Sequence, residues 1–421
     1  MNNNRTIQVF EHHQLVIDNV YNGNRFKRAD YLALSKLNTL HNGKYFEIRY
    51  NGIKFKQFVG VIQVNGLTIE ILPKIDNDGK SINVWQKVLI DMLRVTKKIK
   101  IQKLGTADVN RQNIHLLDIY FEWFLNEVQT LIRQGLIKQY YKETNNVKAL
   151  KGKLEFAGHI SKNLVHKERF YTTHQVYEKD HLIHQIISKA LDIVEKCTSN
   201  YLYSRCKSIQ LDFPNVKSIS VTEATFSKIS KTRKTAPYET ALAISKFIIL
   251  NFAPNISSGS ENMLALLFDM NFLWEEYILA RLKQSDKAVN VYGQNSTSFW
   301  NGISIRPDIV IESGSHKFII DTKWKNISYT QPSTHDLRQM YVYNDYWKST
   351  KAMLLYPSNK SHFDGFVKFQ DHHVHGYLLD NREKINQHKC GLGKLSIFKP
   401  GTNDLNDQIG NEVINWFLDH K

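Results

Sequence analysis

The sequence predicts a multidomain protein of mixed α+β and α/β class, with a small β-rich N-terminal domain, a mainly helical middle region and a C-terminal α/β core. Three observations carry that reading. Short alternating segments broken by Asn-Gly pairs fill residues 1–80, and apolar residues at three and four spacing dominate 81–255. Residues 256–421 pass from a helical pattern through two β-branched runs to a second helical pattern and an apolar strand. At 421 residues the chain also exceeds a single core, since domains usually span about 100 to 200 residues.

Taken in order, residues 45–50 and 67–71 alternate apolar and polar side chains, and Asn42-Gly43, Asn51-Gly52 and Asn65-Gly66 supply turns. No constellation of reactive side chains is visible there. Residues 114–133, 177–196 and 238–252 carry helical periodicity, with a strand expected over 151–159 and a linker over 254–260. Residues 262–282 read as one long amphipathic helix bearing Trp274-Glu275-Glu276-Tyr277. Residues 303–311 and 317–324 then form a hairpin about the turn material Ser313 to His316, followed by a helix around 336–343 and a strand over 352–356.

The hairpin holds the chemistry. Pairing Glu312 with Lys317 across the turn sets Asp308 opposite Asp321, where cross-strand Cβ atoms lie about 4.5 to 5.5 Å apart and two anions repel unless neutralised. Asp321 follows an apolar run and precedes Trp324, so it belongs to a covered strand, and a buried acid needs a partner or a metal. Strand alternation puts Lys323 on the face of Asp321 and turns the Thr322 side chain away, leaving its carbonyl near the site. Two carboxylates and a carbonyl suit magnesium. Metal at Asp308 and Asp321 would polarise a phosphodiester, with Lys323 orienting water or offsetting charge on phosphorus.

Pro307-Asp308 followed by Asp321-Thr322-Lys323 resembles the PD-(D/E)xK nuclease superfamily. The resemblance implies a restriction-endonuclease-like α/β core with a helix, three strands, a helix and a strand, and a Glu on the first helix, matched here by Glu275. Asp308, Asp321, Glu275 and Thr322 would serve the metal, with Asp308, Asp321 and Lys323 catalytic. Gln339 and Tyr343, one turn apart, resemble the Q-x-x-x-Y helix of the RecB-like branch, which makes Gln339 a phosphate- or nucleophile-orienting candidate.

Residues 60–75 and 269–277, Gly135-Leu136 with Tyr140, residues 150–154 and the helix start near Asp180 are similar to the McrC family, the nuclease subunits of McrBC modification-dependent restriction systems. His184 stands where that family would have Asn. Membership implies magnesium-dependent cutting of modified double-stranded DNA beside a McrB-like AAA+ GTPase hexamer that reads methylated cytosine and whose GTPase the subunit stimulates. The mainly helical region 81–255 would fit docking of that motor, and in the family the N-terminal part contacts it. No Gly-x-x-x-x-Gly-Lys-Ser/Thr run occurs here, so the nucleotide is expected on the partner. Cutting both strands with one site per chain calls for two copies or two nicks. The competing readings are a non-cleaving, DNA-binding activator of the motor and a stand-alone RecB-like repair nuclease. The intact acid, acid and lysine set favours cleavage over the first, and the N-terminal similarity opposes the second.

Composition fits a partner of polyanions: 56 Lys and Arg against 40 Asp and Glu give +16 and a pI near 9.4, densest at residues 94–100 and 228–234. Cys197, Cys206 and Cys390 form no C-x-x-C pair, which predicts free thiols in a reducing compartment. His372-His373-x-His375 lacks the Cys or acidic partners of a zinc site. No basic and then apolar leader and no run of about 18 apolar residues occurs, so a cytoplasmic protein without membrane contact is expected.

Overall fold

A computed structural model describes residues 5–64, 66–75, 81–98, 116–254, 262–285, 289–325, 331–349, 351–358, 365–371 and 389–419. Expected features that fall outside them are linker residues 255–260, the far end of the first basic run and the three histidines at 372–375. The chain forms two compact units, one from residues 1–102 and 267–421 and one from 103–266. Residues 1–80 therefore do not stand apart as a domain but share a unit with the C-terminal core. Among the described residues no helix is long and apolar enough to cross a membrane, and the three cysteines are free.

In the first unit, the strand Arg5–Phe10 lies parallel to Leu67–Leu72, which pairs antiparallel with Phe58–Val64 across Gly66 at φ 67°. Leu67–Leu72 is buried at every position. The helix Arg28–Leu40 sits among these strands in sequence, with buried Asp30 receiving the Arg5 guanidinium at 2.8 Å and the Lys27 amide at 2.9 Å. A second hairpin joins Phe46–Arg49 to Gly52–Phe55, in agreement with the β-rich reading.

The C-terminal core of this unit is a six-stranded sheet. Its spatial order is Asn290–Gly293, Ile309–Ser313, His316–Thr322, Lys351–Ser358, Lys389–Ser396 and Gly365–Asp371. The expected hairpin register holds, with Glu312 opposite Lys317 and Ile309 opposite Ile320. His316–Thr322, Lys351–Ser358 and Lys389–Ser396 run parallel, and the first two carry the apolar stretches 318–320 and 352–356 expected of covered parallel strands. Ile319, Ala352 and Leu354 pack with Met340, Tyr343 and Trp347 of the helix Thr334–Trp347. Phe318, one residue along, stacks at 4.7 Å on Phe417 of the helix Ile409–Asp419. Alternate side chains of one strand thus meet different helices, and the odd-numbered face that carries Asp321 and Lys323 is the face of the Thr334–Trp347 helix.

Residues 262–282 are not one helix. Asn262–Asp269 is a strand and Met270–Lys283 a helix, divided at Asp269, whose side chain accepts from the Asn271 and Phe272 amides. An unbroken apolar run has no period to tell strand from helix, whereas an Asp accepting those amides is an N-cap.

The second unit contains the helices Leu116–Gln134, Leu182–Cys197, Asn200–Asp212 and Glu239–Leu250, close to the expected spans for three of them. It also holds a nine-pair ribbon of Gln139–Val147 against Phe170–Glu178 that the helical reading missed, because its alternation is weak and largely solvent-exposed. The strand expected over 151–159 reduces to Lys153–Leu154, followed by the helix Phe156–Asn163. His184 is a buried helix residue. Its Nδ1 lies 2.7 Å from the Lys179 carbonyl and its Nε2 3.3 Å from the Tyr238 hydroxyl, and burial lowers its pKa to about 4.

Candidate active site

The hairpin brings Asp308, Asp321 and Lys323 together. The ladder ends at Ile309 opposite Ile320, so Asp308 stands one step beyond it, and its Oδ2 accepts from the Thr322 amide at 2.7 Å and the Thr322 hydroxyl at 2.9 Å. This corrects the expected arrangement at Thr322, whose side chain engages Asp308 instead of pointing away. Thr322 is itself paired, opposite Leu355, whereas Asp308 has left the pairing and comes to it. Asp321 is 1% exposed, and its Oδ2 lies 2.6 Å from Lys323 Nζ. That oxygen still lacks a partner in hydrogen-bond geometry. It is charge-paired but incompletely coordinated.

The helix Thr334–Trp347 completes the cluster. Ser333 caps it, accepting from the Asp336 amide at 3.1 Å, so that Gln339 and Tyr343 face the sheet. Gln339 Oε1 accepts from Lys323 Nζ at 3.4 Å, and its Nε2 donates to the Tyr343 hydroxyl at 2.7 Å. Tyr343 in turn donates to the Arg306 carbonyl at 2.9 Å. One chain of bonds therefore runs from Lys323 to the residue two before Asp308.

Glu275, on the helix Met270–Lys283, accepts from Gln294 Nε2 at 3.0 Å, while the Gln294 amide donates to the Asp308 carbonyl at 2.8 Å. Its neighbour Glu276 pairs with Lys98 at 3.1 Å, which leaves Glu275 as the acid beside Asp308.

The electrostatics are those of a crowded anionic site. Burial and the Asp308 charge push Asp321 up to about 7, and burial with the same charge pushes Glu275 up to about 7. Burial also raises Asp308 against the pull of its Thr322 bonds, Lys323 and Arg306. For Lys323, burial is outweighed by Asp321, Asp336 and Asp308, and its pKa rises. One ammonium does not neutralise these acids, so a cation is electrostatically welcome. Among the described residues no three His, Cys, Asp or Glu side chains converge on a point, so the site does not gather Glu275 with both aspartates. Two carboxylates, one with an unsatisfied buried oxygen, fit magnesium, which keeps most of its water, better than zinc.

Sequence reasoning missed Gln294, which reaches the site by tertiary contact alone, and Lys325, which pairs with buried Asp336 at 2.7 Å. Period-two counting from Asp321 through Lys323 would have found Lys325. It missed Glu11 as well, whose Oε1 accepts from Trp324 Nε1 at 2.7 Å and from the Lys74 amide at 3.0 Å. No local signal joins residues so far apart in sequence.

Comparison with known proteins gives a consistent picture. The model of the McrBC 5-methylcytosine restriction system component family matches residues 53–357. The chain is 25% identical over 305 residues, 67% of its length and 84% of the relative's, to the type IV methyl-directed restriction enzyme EcoKMcrBC of Escherichia coli strain K12. Among solved structures, it superposes with TM-score 0.70 and 18% identity on a chain of the refined half-complex from the tetradecameric assembly of Thermococcus gammatolerans McrB AAA+ hexamers with bound McrC. That match covers 98% of this chain and 100% of the other. A second match, to the Thermococcus gammatolerans McrBC complex, has TM-score 0.51 and 20% identity, covering 66% and 87% of the two chains.

Proposed function

The chain belongs to the McrBC 5-methylcytosine restriction system component family, and on that premise we propose that it is the DNA-cutting subunit, hydrolysing phosphodiester bonds with magnesium at a PD-(D/E)xK-type site. The observation that carries the reading is the cluster itself: Asp308 and Asp321 on adjoining chain segments with Lys323 against Asp321. A magnesium ion held by Asp308 and Asp321, with the Thr322 carbonyl and with Glu275 as an outer partner, would supply Lewis-acid stabilisation of charge on the phosphate.

The chain's own residues do the positioning. Thr322 fixes the Asp308 carboxylate through two bonds, and Gln294 fixes Glu275. Lys323, held beside Asp321 and within reach of Gln339 Oε1, would orient the attacking water and offset charge on phosphorus, with Gln339 steering the ammonium. The water oxygen bonds to phosphorus and gives up one proton to solvent, one bridging phosphorus–oxygen bond breaks, and the leaving oxygen takes one proton from solvent.

A methyl-directed restriction enzyme and McrB AAA+ hexamers with bound McrC among the relatives support extending the proposal to methylated DNA as substrate and a McrB-like AAA+ hexamer as partner. Double-stranded cleavage and stimulation of the partner's GTP hydrolysis belong to the same proposal. The test is cleavage of methylated and unmethylated plasmid with magnesium, with and without the AAA+ partner and GTP. Cutting that needs the full mixture and falls about 100-fold or more in Asp321→Asn is expected. Undiminished cutting by Asp321→Asn would remove the site from the reaction. Accelerated GTP hydrolysis without any cutting would make the chain an activator only.

A further inference from the structure

Between Gln294 and Asp308 the chain leaves the site and returns to it. The Gln294 amide donates to the Asp308 carbonyl, and Tyr343 donates to the carbonyl of Arg306. The excursion is a small hairpin, Thr297–Trp300 against Ile303–Ile305, turned at Asn301-Gly302 with Gly302 at φ 76°. Both feet are thus fixed to the carboxylate site. Arms of three to four residues at about 3.3 Å each place the tip roughly 10 to 13 Å from those feet.

The tip pair, Trp300 opposite Ile303, is 71% and 57% exposed. Trp is highly buried on average, so one left in solvent at a hairpin tip marks a contact made outside the chain. The hairpin is braced for such a role, because Phe299 packs at 5.3 Å on Tyr346 of the helix that also carries Gln339. Arg306, exposed at the foot, is close enough for its charge to oppose the rise at both Glu275 and Asp308, and Arg338 is exposed on the Gln339 helix. A narrow apolar tip on a cationic base matches a groove lined by phosphates. A specific protein interface would ask for about 800 Å² per partner, more than two side chains supply.

We propose that this hairpin is a duplex-DNA contact element, with Arg306 on a phosphate flanking the one to be cut and Trp300 and Ile303 entering the adjoining groove against the bases. The inference rests on the hydrolytic reading of the carboxylate site. Trp300 supplies a stacking or wedging surface, which holds the duplex in one register over Asp308 and Asp321.

The experiment measures binding in the complete chain with its AAA+ partner, on an Asp321→Asn background, using fluorescence anisotropy of a labelled methylated duplex. Trp300→Ser with Ile303→Ser should weaken binding about tenfold or more, and Trp300→Phe should restore most of it. A 2-aminopurine placed in the duplex should brighten on binding to the parent and stay dark with the double variant. Thermal melting and the mass of the assembled complex verify folding and assembly. Unchanged affinity with unchanged 2-aminopurine signal overturns the proposal, as does a double variant that loses assembly mass while its residual chains bind DNA normally. Plasmid cutting by the chain with Asp321 intact runs alongside, so that loss of the hydrolytic reading is seen separately.

Discussion

Glu11 shows how much of the site is set by single buried groups. Its carboxyl holds the Trp324 indole, one residue beyond Lys323, and Trp324 meets Trp274, the neighbour of Glu275, at 5.5 Å. Burial pushes Glu11 up to about 7 from an ordinary 4.5, against the bonds from Lys74 and Trp324. A raised carboxyl binds its proton more tightly when folded, so its contribution to stability is complete below about 4.5 and is lost as pH rises through 7. Glu11→Gln should therefore flatten the fall in melting temperature between pH 5 and pH 8 relative to the parent. The difference corresponds to roughly 3 kcal/mol at most. Parallel melting curves across that range would show that Glu11 does not titrate this way. The residues legible in sequence were those whose geometry is local: Asp308, Asp321 and Lys323 follow from one hairpin register, and Gln339 with Tyr343 from one helical turn. Glu11 and Gln294 were illegible because only tertiary packing brings them in, and the bond from the Thr322 hydroxyl to Asp308 was not read because Asp308 steps out of the ladder to meet it.

Whole elements hold the site through two joints. At the first, Asp269 ends a buried strand and caps the helix that carries Glu275, and Gln57 contributes a 3.4 Å contact to the same carboxylate. Asp269→Ala should lower stability by about 1 kcal/mol, read as a shift in urea midpoint; a shift near zero would mean the cap is dispensable. At the second, Gly410 lets the helix Ile409–Asp419 approach the end of the Glu275 helix, where an added Cβ would lie 2.3 Å from the Arg281 carbonyl oxygen. Backbone cannot yield as a flexible side chain does. Gly410→Ala should cost about 1 to 3 kcal/mol, and a neutral outcome would show that the two helices can part freely. Neither joint was visible as such in the sequence. The first hid inside residues 262–282, where a continuous apolar run imitates a helix, and the second depends on a crossing that no periodicity records. His316–Thr322 and Lys351–Ser358 were legible for the opposite reason, since covered parallel strands carry compact apolar stretches, whereas Asn290–Gly293, Gly365–Asp371 and Lys389–Ser396 carry no such stretch and were not read as strands.

At the scale of the molecule, the division into units differs in kind from a series of consecutive domains, since one unit is continuous and the other is not. Within residues 103–266, the helices Leu116–Gln134, Leu182–Cys197, Asn200–Asp212 and Glu239–Leu250 contact one another and bury Phe121, Phe124, Ile187, Val194, Cys206 and Ile248. That is a core of its own. Residues 267–421, in contrast, lean on the first 102: Trp324 on Glu11, Phe398 on Trp85 at 5.9 Å, Glu276 on Lys98 and Met270 on the Gln57 carbonyl. Removing the N-terminal segment would leave the Trp324 indole without its acceptor and expose apolar surface across the core, and unpaired buried polar groups are costly. A fragment of residues 103–266 should therefore melt cooperatively with a helical circular dichroism spectrum. A fragment of 267–421 should fail to do so alone and should recover a cooperative transition when residues 1–102 are co-expressed with it. Cooperative melting of 267–421 by itself would show that the N-terminal strands decorate the core instead of completing it. In that case the bond from Glu11 to Trp324 could be lost without moving Lys323.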